Sequence, residues 1–343
     1  MFLLGLLLYN CLFHATENNF KIYWGIPSNS CRKFQIDFAS IGSDHEFVQN
    51  SNDSVRGDKI AILYEPGIWP SIDTEDGQLI YRNGGLPQNG SLDLHLRQLE
   101  FDIDRLIPNR TFDGVAVIDF ERWRPSFRQN FGEHKIYKDL TLLEINRKHP
   151  KWTRNQIEAQ GKIIFETAAV NFVNRTLLRA RKLRPFAKWG FYGFPHCFNR
   201  YRDLSNLERC SSQVEAENEK LSFMFPTAIY SSLYITQNQT STALTKFVQG
   251  KMYESKRIKN LTGNASLLNL PFIRYQYTDG GMMKKEDMMN ILRTVKSDGG
   301  HGVVLWGSST QFKTAEQCRA FKTYFEADFL SVIKDFREIR RWK

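Results

Sequence analysis

The sequence predicts an α/β fold, a (β/α) barrel of about seven strands forming a single domain. Three observations predict it. Seven short apolar segments are spaced along the 343 residues, several of them near-continuous hydrophobic runs, as strands covered on both faces require. Helical patterns alternate with them and no clear linker intervenes, which leaves a closed barrel or an open doubly wound sheet. No GxGxxG or phosphate-loop sequence follows the first strand, so the dinucleotide-binding version of the open sheet loses its support.

The strands expected are Ile22 to Trp24, Ile60 to Tyr64, Val115 to Asp119, Trp189 to Tyr192, Ala228 to Tyr230, Phe272 to Tyr275 and Val303 to Trp306. Between the second and third, Leu92, Leu96, Leu99, Ile103 and Leu106 recur at spacings of three and four after Ser91, and Pro108 stops the helix. Thr153 and Gln156 form a capping box ahead of a helix reaching about Leu183, with Pro185 beyond it. Lys285 to Lys296 supply a helix before the last strand, and Thr314 with Gln317 caps the helix that holds Cys318. Gln88 to Gly90 and Asn260 to Leu270 read as surface loops.

Residues 1–15 have the character of a signal peptide: Met1 to Phe13 are almost wholly apolar, too short a run to span a bilayer, and Ala15 offers a small residue near a cleavage point. The catalytic barrel domain is then expected over 16–343. Two features agree with secretion. Sequons at Asn52, Asn89, Asn109, Asn174, Asn238, Asn260 and Asn264 suit a glycoprotein. Loss of the leader removes Cys11 and leaves the even set Cys31, Cys197, Cys210 and Cys318, enough for two disulfides in an oxidising compartment. Three pairings are open. The economical one closes the local loop from Cys197 to Cys210 and ties the chain's two ends through Cys31 and Cys318. No CxxC or HxxxH spacing points to a metal, and no cofactor motif is present.

The net charge of +10 favours a polyanionic partner. Nucleic acid is the obvious one, but the basic residues are dispersed and carry no nucleic-acid motif, so none is expected. An acidic polysaccharide fits the charge equally well. The segment FDGVAVIDFERWRP, residues 112–125, is the most informative: four apolar residues run directly into Asp119 and Glu121. Residues two apart on a strand share a face, so both acids project from the carboxyl end, the edge where barrel active sites lie. Two acids in one confined place cannot both ionise freely, and one keeps a proton near neutral pH, which glycoside hydrolysis needs. The plain alternative is a solvated strand end, since a lone DxE is a weak motif. Tyr64, Tyr192, Tyr230 and Trp306 close four of the strands, with Ser308 and Ser309 following the last; such rims bind sugars by stacking.

The string VIDFERWRP resembles the signature of the animal hyaluronidases, glycoside hydrolase family 56, especially the insect venom and salivary members. Further matches are ILYEPGIWP at 62–70, RNGGLPQNG at 82–90, WGFYGFPHC at 189–197, RYQ at 274–276 and LWGSS at 305–309. The resemblance spans nearly the whole mature chain. It implies a distorted TIM-like (β/α) barrel of seven strands and a secreted endo-β-N-acetylhexosaminidase acting on hyaluronan and, in some members, chondroitin. It further implies Glu121 as general acid and base. Asp119 would orient the substrate's own acetamido group, whose oxygen attacks the sugar carbon so that configuration is retained. Tyr64, Arg124, Tyr192, Tyr230, Gln276, Trp306 and Ser309 fall on family positions that contact sugar, Arg124 with a charge suited to glucuronate or to an ion pair with a nearby acid. The cysteines fall where the family places its bridges, Cys31 with Cys318 and Cys197 with Cys210.

One departure concerns FPTAIY at 225–230, which is a residue longer than the family's Pro-Ser-aliphatic-Tyr and unsettles the register of Tyr230. The chain also lacks the cysteine-rich extension of vertebrate relatives, and without an apolar tail no membrane anchor is expected. It is expected to act as a monomer. Two other functions compete. A chitinase-type hydrolase carries D-x-D-x-E, but Val117 stands where that series needs a further Asp. A silent glycosaminoglycan-binding homologue would usually have lost an acid, and both are intact.

Overall fold

The computed structural model describes residues 20–199, 207–224 and 227–338; the expected leader lies outside them, as do Phe225 and Pro226 of the FPTAIY segment. In chain order the elements are β1 (Lys21–Gly25), α1 (Ile41–His45), β2 (Ile60–Tyr64), β3 (Ser71–Glu75), β4 (Gln78–Arg82), α2 (Leu92–Leu106), β5 (Val115–Asp119), α3 (Lys135–Lys148) and α4 (Arg154–Leu183). Then follow β6 (Lys188–Phe191), α5 (Ser212–Lys220), β7 (Ala228–Ile229), α6 (Ser241–Thr262), β8 (Leu268–Asn269), β9 (Phe272–Arg274), α7 (Lys285–Ser297), β10 (Gly302–Trp306), α8 (Ala315–Tyr324) and α9 (Leu330–Glu338). Every expected strand forms. The hairpin β3–β4, the short β8 and the helices α1, α3, α5, α6 and α9 are additions, and the stretch expected to be a loop after Asn260 contains the end of α6 and all of β8.

The strands outside the hairpin run parallel and lie beside one another nearly in chain order. Ladders join β2–β5–β6, β7–β8 and β1–β10–β9, while single bridges at Tyr192–Tyr230 and Ser232–Phe272 carry the sequence from β6 through β7 to β9. The ring expected from the sequence is not a continuous ladder. Among the described residues none joins β1 to β2, because Val48 occupies that edge of β1: Trp24 N donates to the Val48 carbonyl at 2.9 Å and Val48 N to the Ile22 carbonyl at 2.9 Å.

Alternation along the strands explains the layering. Ile60, Ile62, Val115, Val117, Tyr230, Phe272 and Val304 meet in an interior cluster. Their neighbours Ala61, Leu63, Ala116 and Ile118 face the helices, packing with Leu96, Leu99, Phe165 and Trp189. The caps expected from the sequence are made. Ser91 Oγ accepts from Leu94 N, and both capping boxes, Thr153 with Gln156 and Thr314 with Gln317, are complete. Each cap satisfies an otherwise orphaned helix N–H, a gain of about 1 kcal/mol.

Both disulfides pair as the resemblance implied: Cys31 with Cys318, 287 residues apart, and Cys197 with Cys210, 13 apart. The first ties the segment after β1 to α8, stapling the chain's two ends. No described helix is long and apolar enough to cross a membrane.

Candidate active site

Strand register sets the site. Tyr64 pairs with Asp119 at the carboxyl ends of β2 and β5, and Trp306 pairs with Arg274 at the ends of β10 and β9. Asp119 and Glu121 face the same way and hydrogen-bond each other, while Phe120 between them turns into the helical layer and stacks on Trp69 at 4.1 Å. Burial holds both carboxyls above the usual carboxylate range. On Asp119 the charge of Glu121 adds to the rise; on Glu121 the Arg124 guanidinium opposes it. The pair therefore retains a proton where isolated acids would have lost theirs.

A third acid presses on both. Glu65 follows Tyr64 with a left-handed φ of 43°, its N–H donating to the Asp119 carbonyl at 2.8 Å. Its carboxylate accepts from Arg122 Nε at 2.6 Å, and Arg122 also pairs with Asp73 of β3, so the hairpin anchors this network. Backbone held in that region costs free energy and persists where surrounding contacts impose it.

The aromatic wall assembles around the acids. Trp306 Nε1 donates to the Tyr64 hydroxyl at 3.0 Å, and the indole stacks on Tyr234 at 5.9 Å and 25°. The Arg274 guanidinium covers both rings, 5.5 Å from Tyr234 and 5.3 Å from Trp306. Tyr192 lies beside Tyr234, and its hydroxyl donates to Ser232 Oγ at 3.1 Å. Gln276 is oriented by Gln311, whose amide donates to its Oε1, and Ser309 stands exposed at the start of the short helix after Trp306. Arg124 lies over Phe131 and Phe198 and donates to the Gln129 carbonyl at 2.6 Å.

Of the residues expected to contact sugar, the structure brings all but Tyr230 to this rim. Tyr230 has no exposed surface; it fills the interior cluster and its hydroxyl donates to the Lys188 carbonyl. Its expected sugar contact is corrected by the strand's alternation. Positions 228, 230, 232 and 234 share one side, and the first two are still inside when Ser232 and Tyr234 reach the rim. The sequence carried a signal for this: Ser232-Leu233-Tyr234 repeats the Ser-aliphatic-Tyr pattern four residues beyond the segment first matched to it. Glu65 and Arg274 were also legible, as the acid after the Tyr64 strand end and the first residue of RYQ.

A cavity of about 490 Å³ opens beside Glu121, lined by Tyr192, Ser232 and Tyr234 of the wall and reaching Arg124, His196 and Lys251. Among the described residues no group of three or more His, Cys, Asp or Glu side chains is placed to hold a metal ion.

A proton-retaining acid pair beneath a stacking wall, at one edge of parallel strands, defines the class of protein as a glycoside hydrolase. Residues 12–337 match the family model described as hyaluronidase. The chain is 36% identical over 310 residues to hyaluronidase A of Vespula vulgaris, covering 89% of this chain and 93% of that one. It is 35% identical over 327 residues to the hyaluronidase Tab y 2.0101 of Tabanus yao, covering 94% and 93%. The crystal structure of bee venom hyaluronidase in complex with a hyaluronic acid tetramer superposes with a TM-score of 0.88 at 33% identity, over 93% of this chain and 99% of that one. The chain belongs to the hyaluronidase family.

Proposed function

We propose that the protein is a secreted endo-β-N-acetylhexosaminidase that hydrolyses hyaluronan with retention of configuration, using the substrate's acetamido group as nucleophile. The observation that carries this reading is the hydrogen-bonded pair of Asp119 and Glu121, both held above the usual carboxylate range at a sugar-stacking rim. Glu121 gives its proton to the departing glycosidic oxygen as the acetamido carbonyl oxygen attacks C1 and the C1–O bond breaks. Asp119, left anionic, accepts from the acetamido N–H and offsets the positive charge of the oxazolinium-like ring. Water then attacks C1, the ring opens, and the water's proton passes to Glu121. Two inversions at C1 leave the configuration unchanged, and the sum is one water consumed per bond cut. Neither carboxylate bonds to the sugar, which sets this scheme apart from the usual two-carboxylate hydrolysis.

Tyr192, Tyr234 and Trp306 surround the volume beside Asp119, a fit for the flat acetamido group. Tyr64, Gln276 and Ser309 extend the rim and supply hydroxyl and amide partners to sugars further along. Asn52, Asn89, Asn109, Asn238 and Asn260 are exposed, Asn174 and Asn264 half-buried, so the first five are the better acceptors for glycan. Digestion of hyaluronan and chondroitin side by side, with reducing ends counted and products sized, tests the reading. It predicts even-numbered oligosaccharides with N-acetylhexosamine at the new reducing end. Binding of hyaluronan without release of ends would sink it.

A further inference from the structure

Helix α5 is short, nine residues from Ser212 to Lys220, and the reaction scheme gives it no part. Two neighbouring side chains on it nevertheless grip the two segments that flank Arg124. Glu217 accepts from Arg128 Nε at 2.6 Å and from Gln129 Nε2 at 2.8 Å. The Gln129 carbonyl in turn accepts from the Arg124 guanidinium at 2.6 Å, and Asn130 Oδ1 accepts from Arg124 N at 2.8 Å. On the other side, Asn218 Nδ2 donates to the His196 carbonyl at 2.6 Å, in the segment whose Phe198 ring lies 5.2 Å from the same guanidinium.

The grip is rigid. Gln129, Asn130 and Asn218 are buried, so their hydrogen bonds act in a low local dielectric, where they are stronger than in water. Asn218 is itself pinned from α6: its amide nitrogen also donates at 2.8 Å to Glu254, a carboxylate with no exposed surface, whose charge is met by Arg257 Nε at 2.8 Å. A buried carboxylate costs free energy unless it is paired and hydrogen-bonded, and both conditions hold here. The Cys197–Cys210 bridge joins the His196 segment to the residue just ahead of the α5 cap, so helix and segment are tied covalently as well. What the two arms share is the place of Arg124, whose charge opposes the effect of burial on Glu121.

We infer that α5 is a support for the catalytic acid, in which Glu217 and Asn218 are positioning residues that fix the Arg124 guanidinium beside Glu121 from two sides. The inference rests on the hydrolytic reading above and adds residues behind the rim on which the reaction depends. Both act through Arg124, so the effect of losing either should vanish where Arg124 is already gone.

The test is a double-variant cycle on the full-length enzyme: wild type, Glu217→Ala, Arg124→Gln and the two combined, each assayed for kcat/KM on hyaluronan at a temperature where melting shows it folded. Displacement of a positioned group by about an ångström predicts a fall of about 10- to 100-fold for Glu217→Ala in the native background. In the Arg124→Gln background the same substitution should change the rate by less than about twofold, because effects that run through one residue do not add. The pH profile gives a second readout, and decides alone where Arg124→Gln leaves too little rate to measure. Burial, Glu133 and Glu65 raise the proton affinity of Glu121, while Arg124 and the hydrogen bond with Asp119 lower it. Tyr64, Tyr192, His134 and His196 stand nearby, uncharged near neutral pH. A displaced Arg124 lets Glu121 keep its proton to higher pH, so Glu217→Ala should move the alkaline limb of kcat upward, a shift that a loss of folded protein does not produce. Equal losses in both backgrounds, no loss for Glu217→Ala, or an unmoved limb would each overturn the support role while leaving the hydrolytic reading intact. A wild-type enzyme that fails to cut hyaluronan would remove both. Should Glu217→Ala fail to fold, Asn218→Ser runs the same cycle through the other arm, with the same expected results.

Discussion

Tyr230 and Tyr234 sit four residues apart on one side of the same strand line, and exchanging their expected roles gives the sharpest single perturbation. Tyr230→Phe removes a hydroxyl that donates to the Lys188 carbonyl in a place with no exposed surface. The half-buried Lys188 carbonyl is left short of a partner, a cost of about 1–2 kcal/mol. For a chain of this size that corresponds to a fall in Tm of roughly 1–3 °C. Because the ring stays in the interior cluster, kcat/KM should remain within about twofold of wild type. Tyr234→Phe removes a hydroxyl that faces Tyr192 and Asp119 at the rim. If that hydroxyl meets charge developing on the sugar, kcat/KM should fall about 10- to 100-fold, with Tm nearly unchanged. Thermal melts and release of reducing ends from hyaluronan read the two quantities separately. A Tyr230→Phe enzyme that is stable and inactive, beside a Tyr234→Phe enzyme of normal rate, would refute the alternation argument and restore Tyr230 to the groove.

Asp119→Asn should abolish most turnover, and its stability should also respond to pH. A carboxyl whose folded-state pKa is raised contributes stability in full below its unfolded value and loses it as pH rises through the raised value. The variant should therefore gain Tm over wild type in mildly alkaline buffer, with the gap closing toward pH 4; a gap independent of pH would contradict the burial argument. Replacing Cys31 and Cys318 by Ser opens a bridge that spans 287 residues, and a loss of about 2–5 kcal/mol is expected in denaturant melts. A bridge-free protein as stable as wild type would show that the chain's ends are held by packing alone.

The sequence displayed those parts of the fold whose physics is local. Continuous apolar runs marked the buried strands, and the Ser91, Thr153 and Thr314 caps marked three helix starts, because each signal lies within a few residues of the structure it specifies. α6 was missed because it buries Glu254 and Ser255 and exposes Tyr253 and Leu261, which blurs the 3.6-residue apolar period. The hairpin β3–β4 was missed because β4, Gln78 to Arg82, is exposed along its whole length and carries no buried alternation. The open edge between β1 and β2 depends on Val48, twenty-odd residues beyond β1, a pairing that no pattern within either segment records.

The site divides in the same way. Asp119 with Glu121 was legible because strand alternation forces their partnership. Tyr230 was misplaced because its register depended on where β7 ends relative to the rim. Lys251 gave no signal, and His196 appeared only inside the matched string WGFYGFPHC with no role attached; they lie on α6 and in the segment after the cis Phe194-Pro195 bond, and only the fold brings them to Glu121.

Glu121→Gln tests the central claim most directly, since it keeps the shape and hydrogen-bonding reach of the side chain and removes only the transferable proton. With folding checked by melting and retention on immobilised hyaluronan confirming binding, reducing-end release should fall by about 10²–10⁴ or more. Turnover close to wild type in a variant that folds and binds would contradict the shared-proton mechanism outright.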